Sequence, residues 1–340
     1  MRLCTLVSSY ELADSPFRGL DPYPDPSLWA PDHGWETCLV DKATAASTVR
    51  DLSRRGFDAF VNLCDGSAEE PLAGVEVVRE LERLDQAFTG AGSRFFEPSR
   101  KTMKRLCRCV GVDTPRHHFA RGRADAEIAA THLRFPILVK PPNGFGSIGL
   151  TPASRVTTVE ALLAQVDGTV HEHGGALLEE FIEGREFTVL VAEPGAGERA
   201  PRGYSPIEVM FPPGESFKHF NLKWVDYAGM GTRRVEDADL VARLRRVAAL
   251  IFEGFQGTGY ARCDVRLDSE GRLYLLDVNP NPGVFYPSSA PGSTDLILGH
   301  DPGGHRAFIE HIVAAALRRR DRRRITSARS TRPLHATART

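Results

Sequence analysis

The feature that most constrains the fold is a pair of apolar segments near the C-terminal end, separated by a short polar turn. Residues 261–265 and 274–283 flank the turn at 268–271, an arrangement typical of a β-hairpin. Because side chains alternate between faces along a strand, Asp264, Asp277 and Asn279 can meet at one end of the hairpin. Two carboxylates and an amide oxygen suit Mg²⁺. A charged strand edge followed by an irregular turn would explain the same residues. The hairpin alone does not distinguish this structure from a magnesium site.

Length and composition narrow the class of protein. A chain of 340 residues is long for one core, which predicts two or three subdomains. The formal net charge of −1 gives no general argument for nucleic-acid or membrane binding. The apolar run at residues 3–7 is too short for a signal peptide, and no run reaches transmembrane length. The six cysteines include no CxxC pair, so we expect neither a zinc site nor a disulfide scaffold, and a cytoplasmic location.

A basic run at residues 318–324 precedes a tail rich in Ser, Thr and Arg. Such a run could contact RNA or anionic lipid. A solvated helix end followed by a disordered tail is the more common structure for such a sequence. We therefore expect no nucleic-acid partner and no membrane partner.

Alternating strand and helix patterns divide the chain. Short apolar strands alternate with amphipathic helices over residues 1–95, which predicts a small parallel-sheet domain. Residues 96–185 begin as a helix and continue as strands around a glycine-rich loop. Residues 186–322 contain a long loop rich in Gly and Pro, a helix with a 3.6-residue apolar stripe, and the hairpin. Residues 323–340 are expected to form a disordered basic tail.

A glycine-rich loop follows the apolar strand that ends at Lys140. The loop, residues 141–149, contains three glycines, among them Gly146, and Ser147. Glycine allows close backbone approach, successive N–H groups can bind oxyanions, and the lysine adds positive charge. These properties suit phosphate binding. The loop matches neither a Walker A sequence nor GxGxxG, and a simple hairpin turn is the alternative.

A third segment, residues 177–189, is a buried strand that runs into a polar kink. Exposed backbone groups at such a kink can bind the edge of an adenine, and Phe181 and Ile182 could line its ring. A carboxylate such as Glu186 could accept hydrogen bonds from ribose hydroxyls. A hairpin whose acidic residues face water explains the isolated segment equally well.

In chain order, the three segments resemble the motifs of the ATP-grasp ligases, and within them the D-alanine–D-alanine ligase branch. The ordered set is Lys140 with its glycine loop, then Glu-Glu-Phe-Ile…Glu-Phe-Thr-Val, then Arg-Cys-Asp-Val…Leu-Leu-Asp-Val-Asn-Pro-Asn-Pro-Gly. The resemblance covers about residues 95–320 well and residues 1–95 loosely. It implies an α/β fold: an ATP-grasp fold with an N-terminal parallel-sheet pre-ATP-grasp domain, a central small lobe and a C-terminal large lobe.

The resemblance also implies a reaction. In this family a carboxylate attacks the γ-phosphate of ATP, and an amine then attacks the acyl phosphate, which yields an amide, ADP and phosphate. The implied cofactors are ATP and Mg²⁺ or Mn²⁺, with two ions. The implied partners are a small-molecule carboxylic acid and an amine, with amino acids expected, and a homodimer is left open.

Residues at the matching positions would bind the nucleotide. Lys140 would contact the phosphates, and Ser147 with the loop backbone at Gly146 would cover them. The residues that would frame the adenine are Glu179, Glu180 and Ile182, with Phe181 beside the ring, and Glu186 would bind the ribose. Lys101 is a further candidate for a phosphate contact, although its local spacing differs by one residue.

The catalytic and metal positions also match. Asp264, Asp277 and Asn279 correspond to the magnesium ligands, and Lys223 to a loop lysine that reaches the transferred phosphate. Arg262 and the N–H group of Gly283 correspond to the donors that stabilise the tetrahedral oxyanion. These roles are consistent with phosphoryl transfer, which needs positioning and charge neutralisation more than covalent help.

The sequence departs from the family at positions that bear on the substrate. The family's glycine turn with its ammonium-binding glutamate is replaced by Ser-Ser-Tyr-Glu, in which Glu11 could substitute. A serine and a tyrosine of the family are replaced by Gly146 and Trp224. A buried ammonium without its polar partners is costly, so we expect a first substrate other than D-alanine bound in the usual way. Asp277 replaces the usual Glu of the metal pair.

The main hypothesis is an ATP-dependent carboxylate–amine ligase that forms a dipeptide or a related amide. The alternatives are a D-alanine–D-alanine ligase proper and a kinase-like ATP-grasp phosphotransferase. A non-catalytic ATP-binding module is less consistent with retention of the matching lysines and metal ligands. A nucleic-acid-binding protein is suggested only by the arginine run.

Overall fold

The computed structural model describes residues 1–10, 18–19, 22–144, 146–225 and 229–330, with side chains described up to residue 325. The strands are β1 (Arg2–Ser8), β2 (Gly34–Val40), β3 (Ala59–Asn62), β4 (His117–Ala120), β5 (Ile137–Lys140), β6 (Arg155–Val156), β7 (Ala176–Glu180), β8 (Arg185–Ala192), β9 (Arg202–Gly203), β10 (Ile207–Met210), β11 (Gly231–Arg234), β12 (Tyr260–Leu267) and β13 (Leu273–Pro280). The α-helices are α1 (Ala45–Ser53), α2 (Val75–Arg83), α3 (Arg100–Val110), α4 (Arg123–Ala130), α5 (Val159–His173), α6 (Phe220–Trp224), α7 (Ala238–Gly254), α8 (Ser293–His300) and α9 (Gly304–Ser330).

The N-terminal part of the chain is a parallel sheet, as the sequence predicts. Its strand order is β2-β1-β3, and the central strand β1 is buried over almost its whole length, as expected for a parallel strand covered on both faces. The edge strand β2 was missed because few of its side chains are buried, so its apolar pattern is weak. The carboxyl ends of β1 and β3 lie side by side and open toward the rest of the molecule.

The middle of the chain forms the small lobe. An antiparallel sheet of order β4-β7-β5-β6 is covered on one face by α4 and α5, whose apolar side chains pack with Ile137, Val139 and Leu178. The register pairs Lys140 with Leu177 and Leu138 with Glu179. Since cross-strand partners share a face, Lys140 and Glu179 lie together on the face away from these helices.

The large lobe is an antiparallel sheet of order β11-β10-β8-β12-β13, with β9 added on β8. Helix α7 packs its buried stripe, Leu240, Leu244, Ala248 and Ile251, on this sheet and shares a core with α3 and the N-terminal helices. A second core joins β1 and β3 to the C-terminal helices through Phe308 and its neighbours. These two cores therefore join the N-terminal domain to the large lobe.

Helix α9 extends well past the predicted start of a disordered tail at residue 323, because it continues to Ser330. The basic run is used within the molecule. Arg319 donates to the carboxylate of Glu193 and to the carbonyl oxygen of Phe88, and Arg323 donates to Asp85 at 3.1 Å. These guanidinium groups therefore bind the last helix to the N-terminal domain. Within the described residues, no helix combines the length and the apolar character needed to span a bilayer.

Candidate active site

The predicted metal ligands meet on one face of the β12–β13 hairpin. The register pairs Asp264 with Asp277, and Arg262 with Asn279. A β-bulge follows: Val265 pairs with Leu275, so Leu276 is an extra residue in β13. Without it, Asp277 would share the buried face of Leu275. The bulge thus turns Asp277 away from the buried face, toward the cleft between this hairpin and the strand end at Lys140. Bulges are common beside functional sites.

Asp264 is a mostly buried carboxylate whose oxygens are both hydrogen-bonded. Thr188 donates to Oδ1 at 3.0 Å, and Arg262 and Asn279 donate to Oδ2 at 3.2 and 3.3 Å. Burial alone would raise the pKa of Asp264. The nearby cations Arg262, Lys218 and Lys223 and the Thr188 hydroxyl outweigh it and hold the pKa at about 2. Asp264 is therefore ionised at neutral pH, as a metal ligand must be.

Asp277 completes a pair of like charges. Arg100 donates to its Oδ2 at 3.0 Å, and the Val278 N–H donates to its Oδ1 at 3.1 Å. Two carboxylates directly opposite each other on neighbouring strands repel unless cations lie near them. No group of three or more His, Cys, Asp or Glu side chains gathers in the part of the chain that the structure describes. The amide oxygen of Asn279 is therefore needed for a three-ligand set, and this all-oxygen set fits Mg²⁺.

Lys140 and Glu179 form the opposite wall of the cleft, together with Lys104 of α3. Glu179 is 2 % exposed and contacts the amines of both lysines. Burial would raise the pKa of Glu179, but Lys104 and Lys140 lower it to about 2. Burial lowers the pKa of Lys140, and Arg100 and Lys104 add to this effect. The wall carries a net positive charge, which suits phosphate oxygens.

Glu180 does not join Glu179 at this wall. Adjacent residues of a strand face opposite sides of a sheet, and the Glu180 carboxylate accepts from Arg134 at 2.9 Å on the other side. Of the two glutamates, only Glu179 places its side chain in the cleft, and the role of both residues in framing the adenine stays a prediction.

Helix α3 brings two cations to the cleft, but the structure does not bring Lys101 among them. Lys101 is exposed, whereas Arg100 and Lys104 are buried. Ser99 caps the helix by accepting from the Thr102 N–H at 3.2 Å, which fixes the rotation of its first turn. Arg100 and Lys104 are four residues apart and therefore lie on one face of the helix. This spacing is the sequence feature that could have indicated both cations.

Hydrogen bonds among the described residues join the glycine loop and the residue after it to the segment with Lys223. Trp224 Nε1 donates to the Gly146 carbonyl oxygen at 2.8 Å, Ser147 Oγ to the Lys218 carbonyl oxygen at 2.8 Å, and the Phe220 N–H to the Leu150 carbonyl oxygen at 3.0 Å. The amine of Lys223 lies 4.9 Å from the centre of the Trp224 ring. The two predicted phosphate-binding segments are thus closed onto each other.

The remaining predicted nucleotide residues surround Arg266, which sequence reasoning missed. Glu186 is 5 % exposed, and its carboxylate is paired with Arg266 at 3.1 Å and with Lys218 at 3.0 Å. The guanidinium of Arg266 lies 4.5 Å from the centre of the Phe181 ring and donates to the carbonyl oxygen of Ile182 at 2.7 Å. The ribose role of Glu186 stays a prediction, since two cations already occupy its carboxylate.

Gly283 lies in a loop that is held in a strained shape. Asn281 and Phe285 have φ angles of +53° and +70°, which side-chain-bearing residues rarely adopt. Asn281 donates to the carbonyl oxygen of Cys64 at 3.2 Å, and the Phe285 N–H donates to Asp295 at 2.8 Å. These contacts fix the Gly283 backbone in position. A Cβ at Gly283 would lie 2.5 Å from the Tyr286 hydroxyl, so any larger residue there would require the Tyr286 side chain to move.

A small pocket lies beside Gly283, at the carboxyl ends of β1 and β3. Its walls include Val7, Leu63 and Tyr286, and Asp65 contributes a carboxylate. In the sequence, Asp65 is marked only by its place shortly after the buried strand β3. Ligands bind outside the carboxyl ends of strands in open α/β sheets. Glu11, which the sequence suggests as a substitute for the family's ammonium-binding glutamate, lies outside the described residues.

Comparisons with known proteins identify the family of this chain. The family model for the "D-ala D-ala ligase C-terminus" matches residues 113–295. The chain is 32% identical over 216 residues to the D-alanine–D-alanine ligase of Ectopseudomonas mendocina (strain ymp), over 62% of this chain and 64% of that ligase, just under two thirds of its length. It is 26% identical over 273 residues to the D-alanine–D-alanine ligase of Cupriavidus necator, over 79% of each chain.

A solved structure shows the same fold. The D-alanine–D-alanine ligase from Bacillus anthracis complexed with ATP superposes with a TM-score of 0.65 at 17% identity, over 95% of this chain and 99% of that one. The fold and the site define an ATP-grasp protein. The chain belongs to the D-alanine–D-alanine ligase family, the family model of which matches more than half of its residues. The predicted fold and enzyme class, an ATP-dependent carbon–nitrogen ligase that forms ADP, are confirmed.

Proposed function

We propose that this protein activates a small carboxylic acid with ATP and joins it to an amine through an acyl phosphate. The observation that carries this proposal is the placement of Asp264, Asp277 and Asn279 across the cleft from Lys140 and Glu179, with Arg100 linking the two walls. The family uses ATP and a divalent metal. We propose two magnesium ions here, which Asp264, Asp277 and Asn279 would hold, and a cytoplasmic reaction.

The side chains around the cleft divide the work of phosphoryl transfer. Lys140 and Lys104 would bind the ATP phosphates that lie nearer the nucleoside. Lys223, on the short helix α6, would reach the transferred phosphate. A bound magnesium ion would supply charge neutralisation at the phosphate oxygens. Glu179 keeps the two lysines apart and oriented. Positioning and electrostatics of this kind account for most of the catalysis in phosphoryl transfer.

Arg262 is suited to the second half of the reaction. Its Nη2 is engaged by Asp264, while its Nε is buried and has no hydrogen-bond partner among the residues that the structure describes. A buried donor without a partner needs an explanation. We propose that it donates, together with the Gly283 N–H, to the oxyanion that forms when the amine attacks the acyl phosphate. Such a donor is typically worth about 2.7–4 kcal/mol.

The acid substrate would extend from Gly283 into the pocket lined by Tyr286 and Asp65. A carboxylate among apolar and aromatic walls suits an ammonium group, so we propose an amino acid as the acid component. The names of the relatives favour D-alanine at least as well as any other amino acid. The replacements Gly146 and Trp224 are the reason to test others beside it.

The activity is tested with purified protein, ATP, Mg²⁺ and a panel of D- and L-amino acids as acid and amine. ADP release that requires both components, together with a dipeptide detected by mass spectrometry, supports the ligase. Hydroxylamine in place of the amine should yield a hydroxamate from the trapped acyl phosphate. ADP release with a phosphorylated product that gives no hydroxamate would instead indicate a phosphotransferase. Light scattering in the same buffer tests for a homodimer.

A further inference from the structure

Arg100 connects the two walls of the cleft. Its Nη1 donates to the carbonyl oxygen of Pro141, the residue after Lys140, at 2.8 Å, and its Nη2 donates to Asp277 at 3.0 Å. Its backbone N–H donates to the side chain of Asn143 in the glycine loop at 3.2 Å. One side chain at the start of α3 therefore touches the phosphate-binding loop and a proposed metal ligand at once.

The charges explain why an arginine is needed there. Asp264 and Asp277 face each other across two strands, and Arg262 neutralises only Asp264. Arg100 supplies the positive charge for Asp277. A divalent ion that binds Asp277 would remove that need, and the cation and the ion would then repel each other. Arg100 and the metal therefore compete for the same carboxylate.

Arg100 also has unused donor capacity. The residue is only 9 % exposed. Its Nε has no hydrogen-bond partner among the residues that the structure describes. Arg100 contacts the residue that follows Lys140, so both cations lie at the carboxyl end of β5. Arginine's planar fork matches phosphate oxygens. A triphosphate bound beside Lys140 would offer Arg100 new acceptors.

We infer that Arg100 couples metal binding to nucleotide binding. It neutralises Asp277 while the nucleotide is absent and donates to the phosphates when the nucleotide is present, which leaves Asp277 available to the ion. Metal alone then binds weakly, and metal with nucleotide binds tightly. This inference rests on the proposed ATP- and metal-dependent function, and it makes Arg100 a positioning residue for the metal.

Thermodynamic linkage gives the inference a sharp test, because coupling between two ligands is reciprocal. Mn²⁺ binding is measured by electron paramagnetic resonance, with and without a non-hydrolysable ATP analogue, and analogue binding is measured by calorimetry with and without Mn²⁺. In Arg100→Met we expect Mn²⁺ alone to bind several-fold tighter than in the wild type, and the analogue to bind several-fold more weakly. The coupling factor should fall by about fivefold or more, within the typical range of such couplings.

The opposite signs of these two effects separate coupling from simple damage, since a loosened fold would weaken both ligands. Arg105→Met is the matched control: it removes the same charge from an exposed position of α3 and should change neither affinity. Arg100→Lys keeps the charge but loses the paired donors of the guanidinium group. Its coupling factor should lie between those of the wild type and Arg100→Met. It is the variant to interpret if Arg100→Met fails to fold.

Two outcomes overturn the inference: Mn²⁺ alone binds Arg100→Met no tighter than the wild type, or the coupling factor is unchanged in Arg100→Met and Arg100→Lys. Failure of the proposed function has a different signature. In that case the wild type itself binds neither the analogue nor Mn²⁺ in the presence of the analogue.

Discussion

The indole N–H of Trp224 donates a hydrogen bond of 2.8 Å to the carbonyl oxygen of Gly146. This contact joins the loop that follows Lys140 to the short helix that carries Lys223. Gly146 has a φ of +66°, and Ser147 a φ of +62°, so the backbone of this turn is in the left-handed region at both residues. A serine at position 146 would be strained there, which gives a structural reason for the glycine. A tryptophan can close the loops by donating to the backbone alone.

Replacement of Trp224 by phenylalanine should weaken nucleotide binding while preserving the fold. The ring is retained, but the Gly146 carbonyl loses its donor. A net hydrogen-bond contribution of about 0.5–1.5 kcal/mol corresponds to a rise of about twofold to tenfold in the dissociation constant of an ATP analogue. Trp35→Phe is the matched control, because Trp35 donates to the Ala30 carbonyl oxygen at 2.8 Å far from the cleft. Equal nucleotide affinities in both variants would show that the Trp224 contact does not stabilise the bound state.

Asp264→Asn should abolish most of the turnover without loss of the fold. The amide keeps the shape and can still accept from Thr188, but it removes the charge that a divalent ion requires. We expect kcat/KM to fall by at least about two orders of magnitude, since a metal ion supplies several kcal/mol of charge stabilisation. Circular dichroism and thermal melting check the fold. Glu270→Gln, at the exposed turn of the same hairpin, should retain full activity, and an active Asp264→Asn would rule out the metal role.

The hairpin site could be predicted from sequence because its determinants are local. A short turn fixes the pairing of the two strands, and period-two alternation then places Asp277 and Asn279 on one face. The bulge at Leu276 could not be predicted in this way, since it depends on the register that the partner strand imposes. The structure therefore retains the predicted juxtaposition of Asp264 with Asp277, but through a feature that the pattern of β13 does not reveal.

At two other places the structure distinguishes residues that are neighbours in the sequence. The helix α3 starts at Arg100 behind its Ser99 cap, and a shift of one residue rotates a side chain by about 100°. This rotation is enough to put Lys101 in solvent and Arg100 in the cleft. On strand β7 a shift of one residue reverses the face, which separates Glu180 from Glu179. The motif located both segments, but only three-dimensional packing determined which neighbour points inward.

Contacts between distant parts of the chain that no motif marks could not be predicted. Asp65 reaches the pocket beside Gly283 because the N-terminal sheet packs against the end of β13. Arg266 pairs with Glu186 from a neighbouring strand of the large lobe, with no sequence signal that links the two. Such residues become recognisable only when the sheets and their registers are known.

His219 should control activity through the position of Lys223. It is the N-cap of α6, where its Nδ1 accepts from the Leu222 N–H at 3.3 Å, and its side chain is buried. A five-residue helix depends strongly on its cap. His219→Ala should lower kcat/KM for ATP by about threefold to thirtyfold, the equivalent of a cap worth about 0.5–2 kcal/mol. His219→Asn supplies another capping side chain and should restore most of the activity. If both variants behave alike, the cap does not position Lys223.

Glu179→Gln should destabilise the protein in a pH-dependent manner. The variant leaves Lys104 and Lys140 buried without their carboxylate, which typically costs about 3–5 kcal/mol near neutral pH. The folded-state pKa of Glu179 is lowered from 4.5 to about 2. Its stabilising contribution is therefore complete above pH 4.5 and is lost as the pH falls toward 2.

Urea unfolding of both proteins between pH 7 and pH 3 measures this effect. The difference in unfolding free energy between wild type and Glu179→Gln should be constant from neutral pH down to about pH 5 and should then shrink. Glu183→Gln removes an exposed carboxylate from the same segment and serves as the control. A difference that stays constant to pH 3 would contradict the lowered pKa of Glu179.

Arg319 should be the residue through which the last helix stabilises the whole molecule. It is 9 % exposed and donates to Glu193, which also accepts from the Gly259 N–H at 2.7 Å. Arg319→Met leaves the Glu193 carboxylate buried without its cation, which typically costs about 3–5 kcal/mol. Arg324→Met removes the same charge from an exposed partner of Asp85 and should have little effect, since exposed ion pairs contribute little. Urea unfolding curves that shift equally for the two variants would show that the C-terminal helix is held by its apolar face alone.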